Sequence, residues 1–302
     1  MKPDLEARTV HDYNAFVGAE DRHALVSVID YAELPPIRHC RCRFGVWALF
    51  LRDDSFEDLG YGAGSYRYEA GTLICVGPGQ VGGVPDNGEV FRIRGWALLF
   101  SPELIAGTAL AARMHEFSYF SYSVNEALQM TAEERGILIT LLTELRDELA
   151  RPADQVQRGI LVDYISLILS YCRRFHERQF SARPEVSHDV LARFEKLLTD
   201  YCASDALRRD GLPAVSWFAE RLFLSAGYLT DVIRRETGGN VRTLMREHLV
   251  RLARERLLSG MTVSETAFSL GFEHPQHFTR LFRRVTGQTP TEYLAQAKGS
   301  VS

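Results

Sequence analysis

Apolar positions follow two different periods along the chain. Four early runs, 24–30, 41–52, 71–79 and 90–100, are rich in β-branched and aromatic residues and are bounded by turn-forming clusters such as PDNG. Short strands without helices between them predict a small antiparallel sandwich or barrel. From residue 131 onward the apolar residues recur every three to four positions, which is the period of amphipathic helices.

The first helical segment begins with a Thr-x-x-Glu capping box at Thr131 and carries a broad apolar stripe to residue 150. Residues 158–180 predict a second helix that is apolar nearly all round, and SARPEVS at 181–187 predicts a linker. The stripes favour a homodimer in which one of them, through Leu138 and Leu145, pairs with its copy in a second chain. The alternative is that both helices pack inside one chain.

A repeat lies within the short helices predicted for 188–296. Residues 215–239 and 263–288 align with an offset of 48 before the middle turn, as in Ala219 and Ala267, and of 49 after it. Each copy predicts a short helix, a tight turn and a longer helix closed by glycine. This is the layout of a helix-turn-helix, in which a small residue lets the two helices approach closely.

The second helix of each copy has a core face and an outward face. In the later copy Phe278, Leu281, Phe282 and Val285 follow the i, i+3, i+4, i+7 spacing and are expected to face the core. A solvated polar face explains most single basic helices, but two copies with matching arginines favour contact with DNA. The outward positions are Ala226, Gly227, Thr230, Asp231 and Arg234 in the first copy, and Pro275, Gln276, Thr279, Arg280 and Arg283 in the second.

Between the copies, residues 240–260 predict a connecting helix of about 18 residues, roughly 27 Å long. Successive major grooves on one face of DNA lie about 34 Å apart. A rod of this length suits two helices that enter consecutive grooves of one duplex. The exposed charges expected on it are Arg242, Arg246, Arg251 and Arg254.

The two copies and their connecting helix resemble the AraC/XylS family of bacterial transcription regulators. The resemblance covers about 188–296 and rests on LSAGYLTDVIRRETGGNVRTLMREHLVRLARERL and VSETAFSLGFEHPQHFTRLFRRVTGQTPTEYL. The chain departs from the family at Leu294, where arginine usually follows the tyrosine. The stretches 61–80 and 95–104 look more loosely like the sensor region of one subgroup, which implies a cupin-like β-barrel that senses a small molecule and helps dimerisation.

The resemblance implies that the outward positions of both second helices contact bases. Arg280 suits guanine, Gln276 adenine and Thr279 the thymine methyl group. In the first helix Ala226 and Gly227 favour shape and methyl contacts, Thr230 lies beside them, and Asp231 suits cytosine. The remaining base position is Pro275, and the residues expected on phosphates are Arg234, Arg283 and Arg284.

The expected fold class is α+β, in which the cupin-like β-barrel is followed by helices and then by an all-α domain with two helix-turn-helix units. The barrel and the helices 131–150 and 157–178 form a domain at 1–180, and the DNA-binding domain covers 188–302. An effector pocket in the barrel is expected to use arginines and tryptophans on neighbouring strands. These are Arg41, Arg43, Trp47, Arg92, Arg94 and Trp96, although the arginines also fit a solvent-facing surface.

Charge and composition add a weak bias. The 302 residues carry a net charge of −4, divided into +3 over 187–302 (16 Lys/Arg, 13 Asp/Glu) and −7 over 1–186 (19 against 26). The absence of a long apolar run argues against a membrane span, and MKPDLEARTVHDY lacks an apolar signal region. Five scattered cysteines fit buried thiols in a reducing cytoplasm better than redox sensors or a zinc site.

Catalysis is the main competing function, because metal-dependent oxygenases also use cupin barrels. Such a site needs about two histidines and a carboxylate, and the β region offers only His39. We therefore expect no catalytic residue, metal or cofactor. The expected partners are double-stranded promoter DNA, a small-molecule effector, a second copy of the chain and RNA polymerase. The alternatives are an oxygenase fused to a DNA-binding domain and an effector-free architectural protein.

Overall fold

The computed structural model describes residues 4–54, 56–61, 64–83, 86–122, 126–182 and 184–299. The chain divides into two compact units, Met1–Ala182 (unit 1) and Arg183–Ser302 (unit 2).

The division between the units falls inside the predicted linker. Within the described part of 181–187 the backbone is helical, because one helix ends at Ala182 and the next begins at Pro184. The domain boundaries given above stay a prediction.

Unit 1 consists of short strands followed by two long helices. Its strands are β1 Leu5–Ala7, β2 Val26–Asp30, β3 Ile37–Arg38, β4 Arg41–Phe44, β5 Trp47–Arg52, β6 Phe56–Tyr61, β7 Gly64–Tyr68, β8 Thr72–Val76, β9 Val81–Gly83, β10 Val90–Phe91, β11 Gly95–Phe100 and β12 Leu128–Gln129. Its helices are α1 Val10–Val17, α2 Pro102–Ile105, α3 Ala109–Arg113, α4 Ala132–Leu149 and α5 Gln157–Ala182.

The largest sheet has five antiparallel strands in the order β12-β8-β5-β11-β2. The other described strands form a β1-β4-β9 sheet, in which β1 and β4 are parallel, and the pairs β10-β3 and β6-β7. The predicted α+β class is confirmed. Among the described strands, however, hydrogen bonds do not close the cupin-like barrel that the sequence predicted.

The helix α1 precedes the four predicted strand runs and was not predicted from the sequence. Thr9 caps it, with a reciprocal hydrogen bond to Asp12, and Gly18 ends it in the left-handed region at φ 78°. Tyr13 and Val17 face the core. The sequence signal was a Thr-x-x-Asp capping box, which is a shorter variant of the usual motif with Glu or Gln.

The long helices α4 and α5 pack against the five-stranded sheet within the chain. The Thr131 capping box is confirmed, since its side chain accepts from Glu134 N and Glu134 accepts from Thr131 N. Leu138 and Leu145, at 1% and 0% exposure, lie in one core cluster with residues of α5 and the sheet. The dimer interface favoured by the sequence is therefore wrong, because this stripe is already covered. The homodimer itself stays a prediction.

Within the described residues of unit 2, all the regular elements are helices. Its helices are α6 Pro184–Ala203, α7 Asp205–Asp210, α8 Val215–Leu222, α9 Ala226–Thr237, α10 Val241–Leu258, α11 Val263–Ser269, α12 Pro275–Thr286 and α13 Pro290–Gly299. The connecting helix α10 has the predicted 18 residues. In the described parts of both units no helix has the length and apolar content needed to cross a membrane.

Candidate nucleic-acid interface

The two helix-turn-helix copies share the same turn hydrogen bonds. After α8, Phe223 N donates to Glu220 O at 3.2 Å and Leu224 N to Ala219 O at 2.9 Å. After α11, Gly271 N donates to Phe268 O at 3.1 Å and Phe272 N to Ala267 O at 3.0 Å. Each pair of bonds closes the first helix through one residue in the left-handed region, Phe223 at φ 60° and Gly271 at φ 80°. The repeat seen in the sequence is therefore a repeat of backbone geometry.

The starts of the second helices differ between the copies. The Ser225 side chain accepts from Tyr228 N at 3.1 Å, which confirms the predicted N-cap of α9. The helix α12 begins at Pro275 after His274, whose side chain makes no capping hydrogen bond. Proline suits this position because it lacks the N–H that a first helical residue leaves unpaired.

The ends of the second helices are again alike. Gly238 N donates to Arg234 O at 2.9 Å and Gly287 N to Arg283 O at 2.8 Å, each glycine having a positive φ. The predicted glycine caps are confirmed, and they fix the last turns that carry the matching arginines.

Core packing sets which face of each second helix points outward. Leu229 and Ile233 on α9 are 0% exposed, and the equivalent Phe278 and Phe282 on α12 are 1% and 0% exposed. Val285 was predicted to face the core but is 36% exposed.

The outward face of α9 offers small side chains and one ion pair. Ala226 is exposed, and Thr230 Oγ1 donates to its carbonyl oxygen at 2.7 Å, so the Thr230 hydroxyl hydrogen is used. Asp231 Oδ1 accepts from Arg234 Nη1 at 3.3 Å, with the two side chains 14% and 61% exposed. Gly227, which follows Ala226 in the sequence, is half-buried.

The outward face of α12 offers longer polar side chains. Gln276 is exposed, and Thr279 Oγ1 donates to Pro275 O at 3.0 Å, the counterpart of the bond made by Thr230. Because the hydroxyl hydrogen of Thr279 is used in this bond, its methyl group is the part of the side chain that can contact another molecule. Arg280, Arg283 and Arg284 are exposed, and within the described residues their guanidinium groups make no hydrogen bond or ion pair.

Exposed arginines also lie along α10, as expected for Arg242, Arg246, Arg251 and Arg254. Two of them are partly engaged. Arg251 Nη2 lies 2.6 Å from His248 Nδ1, and the Arg254 guanidinium stacks 5.5 Å from the centroid of the Tyr293 ring.

The six predicted effector-pocket residues have different surroundings in the structure. Trp96 is 9% exposed within the core, and Trp47 packs edge-on against Phe120 at 4.8 Å. Arg41 is 9% exposed, whereas Arg43, Arg92 and Arg94 are exposed. Arg43 donates to Gly79 O and Arg92 donates to Leu34 O, both at 3.4 Å.

Sequence reasoning missed a cleft of about 210 Å³ in unit 1, and none of the six predicted residues lines it. Its lining comes from the end of α1, from β2 and from the last turn of α4, including Asp30 and Arg146. Segments so distant in sequence give no local pattern that predicts their meeting.

Local packing of the side chains bears on two further kinds of chemistry, thiol reactivity and metal binding. Burial raises the pKa of the Cys40 thiol to about 11 and that of Cys42 to about 12, so both favour the protonated form and low reactivity. Across the described ranges, no three His, Cys, Asp or Glu side chains come together in a way that could hold a metal ion.

Comparisons with known proteins agree with the duplicated geometry. Residues 218–296 match a family model described as "Helix-turn-helix domain". A Bacillus subtilis (strain 168) protein described as "Uncharacterized transcriptional regulatory protein YesN" is 27% identical over 117 residues, which are 37% of this chain and 30% of that protein. The chain thus spans less than a third of this relative.

Two solved structures are similar at lower identity. The C-terminal domain of AraT, a response regulator from Geobacillus stearothermophilus, is 23% identical and covers 35% of this chain and 84% of its own, with a TM-score of 0.32. ToxT from Vibrio cholerae O395 is 11% identical and covers 89% of this chain and 95% of its own, with a TM-score of 0.30.

The resemblance is confined to the C-terminal unit, where the motifs, the turn hydrogen bonds and the family match fall on the same residues. Residues 218–296 therefore form a helix-turn-helix domain.

Proposed function

We propose that the chain is a sequence-specific transcription regulator that binds double-stranded promoter DNA through unit 2. The observation that carries the proposal is the duplicated helix-turn-helix, in which α9 and α12 have equivalent buried faces and equivalent exposed faces. A helix enters the major groove with exposed side chains on one face, and two copies joined by an 18-residue helix suit two grooves of one duplex. Such a regulator acts in the cytoplasm, beside RNA polymerase.

We assign most of the sequence discrimination to α12. Arg280 has a free, exposed guanidinium group that can donate two parallel hydrogen bonds to guanine, and Gln276 can pair in the same way with adenine. Thr279 keeps its hydroxyl on the Pro275 carbonyl, which supports a methyl contact with thymine. Arg283 and Arg284 are proposed phosphate contacts, since phosphates accept from guanidinium groups without regard to sequence.

The helix α9 is proposed to contribute shape recognition and orientation. Ala226 and Gly227 allow close approach to the groove but offer no side-chain hydrogen bonds, and the Thr230 hydroxyl is engaged. Because Asp231 holds Arg234, Arg234 has to leave or share this carboxylate when it contacts a phosphate. Asp231 in turn accepts from cytosine only when one of its oxygens is free.

The test is binding of the full chain to a selected promoter duplex across a range of salt concentrations. We expect affinity to fall steeply with salt, and each lost phosphate contact to reduce the log–log slope by about 0.9. Arg280→Ala should cost about 1–3 kcal/mol and relax preference at one base position. Arg284→Ala should weaken all sequences evenly.

Arg209→Ala is the matched control, because Arg209 has the same charge in the same unit, is 75% exposed and pairs with Asp210. Its binding profile should stay close to that of the parent chain. Equal affinity of the parent for random and selected duplexes at physiological salt contradicts sequence-specific binding. Identical base preferences for Arg280→Ala and Arg284→Ala contradict the division of roles.

For unit 1 we propose a sensor that binds a small molecule and forms a homodimer. A two-fold dimer doubles the number of reading helices and raises the effective concentration for the second half-site. The outward face of α5 supports the dimer, because Leu167 is 44% exposed between the half-buried Tyr164 and Tyr171. Sedimentation of the full chain at tens of micromolar tests the dimer, and monomer alone contradicts it.

A further inference from the structure

The strand β2 has one edge that no other described strand covers. It forms the end of the five-stranded sheet and pairs only with β11. Ser101 N donates to Leu25 O at 2.9 Å, and on the opposite side of β11 Asp53 N donates to Arg94 O at 3.0 Å. Because hydrogen bonding alternates along an antiparallel pair, these bonds direct Ser27 and Ile29 towards β11 and direct the backbone of Val28 and Asp30 away from it.

The backbone groups of Val28 point to the open edge of β2. Val28 is 9% exposed, and within the described residues neither its N–H nor its carbonyl has a hydrogen bond outside the sheet. The N–H and carbonyl groups at the edge of a sheet can pair with a further molecule that approaches this edge. The N–H donor and the carbonyl acceptor of Val28 therefore lie at the same position on the open edge.

These groups face the cleft of about 210 Å³ described above. Four consecutive residues of β2, Ser27 to Asp30, line it, with the end of α1 on one side and Arg146 and Leu149 of α4 on another. Pockets for drug-sized ligands have volumes of about 300–1,000 Å³, so the smaller cleft suits a small ligand. An amino-acid derivative is a ligand of this kind.

The charges of the cleft are mostly neutralised within it. Arg146 Nη1 lies 3.0 Å from Glu33 Oε1, with its guanidinium group 4.8 Å from the Trp96 ring centroid. On the rim Arg22 Nε lies 3.0 Å from Glu20 Oε2. Both arginines thus have carboxylate partners, which disfavours an anionic ligand.

Asp30 keeps an uncompensated negative charge. Its Oδ1 accepts from Ala32 N at 2.9 Å, and among the described residues no basic side chain pairs with it. It is half-buried at the open edge of β2, one peptide beyond Ile29 and two from Val28. A charged donor next to an amide matches this arrangement, because the ammonium group meets the carboxylate while the amide meets the strand edge.

We propose that the β2 cleft binds a small molecule with a protonated amine beside an amide or carbonyl group, as in an amino-acid amide. The ammonium group donates to Asp30, and the neighbouring amide exchanges hydrogen bonds with Val28. This inference rests on the proposed sensing role of unit 1 and specifies its ligand class. The paired arginines leave a free carboxylate group of the ligand without a partner, so the amide binds better than the corresponding free amino acid.

The test uses calorimetry of the full chain with alaninamide, with alanine and with N-acetylalaninamide, which lacks the ammonium group. We expect alaninamide to bind and N-acetylalaninamide to lose at least about tenfold in affinity, as for loss of a charge-assisted hydrogen bond. Asp30→Asn should cause a similar loss for alaninamide. Glu20→Gln is the matched control, because Glu20 lines the same cleft but is 74% exposed and paired with Arg22, and it should stay within about twofold.

Amide hydrogen exchange at Val28 provides a second measurement that does not depend on the variants. Alaninamide should slow exchange at Val28 more than at Ile29, whose N–H is already bonded to β11. Equal binding of alaninamide and N-acetylalaninamide, or no binding of alaninamide at millimolar concentration, overturns the inference. If anionic or neutral metabolites stabilise the chain while amines do not, the sensor proposal stands and this ligand class fails.

Discussion

The two turns of the helix-turn-helix copies allow a direct comparison of backbone strain. Phe223 and Gly271 are equivalent, and both adopt the left-handed region. The Phe223 side chain is 81% exposed. A Cβ atom at Gly271, however, would lie 2.1 Å from Leu207 O and 2.8 Å from Gly211 Cα, which are backbone atoms at the end of α7. We therefore consider the substitutions Gly271→Ala and Phe223→Gly.

Opposite outcomes follow from the two environments. For Gly271→Ala, left-handed strain costs about 1–2 kcal/mol. Displacing the packed backbone of α7 adds about 1–3 kcal/mol, so the free energy of unfolding of unit 2 should fall by about 2–5 kcal/mol. For Phe223→Gly, relief of about 1–2 kcal/mol is offset by about 0.5–1 kcal/mol from the more flexible unfolded chain. The free energy of unfolding should therefore rise by about 0–1.5 kcal/mol.

Amide hydrogen exchange of the full chain, followed by mass spectrometry, measures both variants. For Gly271→Ala we expect faster exchange across 204–211 and 262–287, with unit 1 unchanged as an internal control. A Gly271→Ala variant within 1 kcal/mol of the parent would refute the proposed close approach of α7 and the second turn. A loss of more than about 2 kcal/mol for Phe223→Gly would show that the exposed ring stabilises the fold.

Three further predictions concern charge and burial. Burial lowers the pKa of His176 to about 3, below the value near 6.5 in the unfolded chain. The free energy of unfolding of unit 1 should therefore decline as the pH falls from about 6.5 towards 3, by at most about 1.4 kcal/mol per pH unit. His176→Phe should flatten this decline between pH 7 and 5 in thermal unfolding, and an unchanged slope contradicts the prediction. Leu138→Glu places a charge in the core and should unfold unit 1, as measured by circular dichroism. Leu167→Glu changes an exposed residue and should leave unit 1 folded. A folded Leu138→Glu monomer contradicts the packing of α4 described above. Asp231→Asn removes the carboxylate that pairs with Arg234, so Arg234 becomes available for a phosphate. Binding to random duplexes should become stronger and depend more steeply on salt concentration. Unchanged binding means that Arg234 does not reach the DNA.

Local signals in the sequence predicted most of unit 2. The N-cap at Ser225 and the glycine caps at Gly238 and Gly287 involve residues within four positions of one another, so their chemistry is visible in the sequence. The duplication then supplied a second, independent copy of each signal. Even so, Val285 shows that periodicity does not say where the packed surface of a helix ends.

Unit 1 was less predictable because its arrangement depends on contacts between distant segments. The stripe at Leu138 looked too broad for one surface helix, but α5 and the sheet cover it together. The order of strands in the sheet, with β2 at the edge, follows from pairings over tens of residues. Arg41 and Arg43 lie two positions apart on β4, yet Arg41 is buried and Arg43 is exposed, so alternation alone does not say which residues meet a cavity.

The difference between the two second helices has a physical consequence for how the domain would recognise DNA. Both have the same buried face and the same Thr-to-carbonyl hydrogen bond, so the fold places them equally well for a groove. They differ in what they present, because α9 carries Ala226 and a paired Asp231, whereas α12 carries unpaired Gln276 and Arg280. An unpaired exposed guanidinium group loses only water on binding a base, whereas Arg234 must also give up a carboxylate. Under the proposed function, discrimination between sequences should therefore reside mainly in the half-site that meets α12, and α9 should set position and affinity.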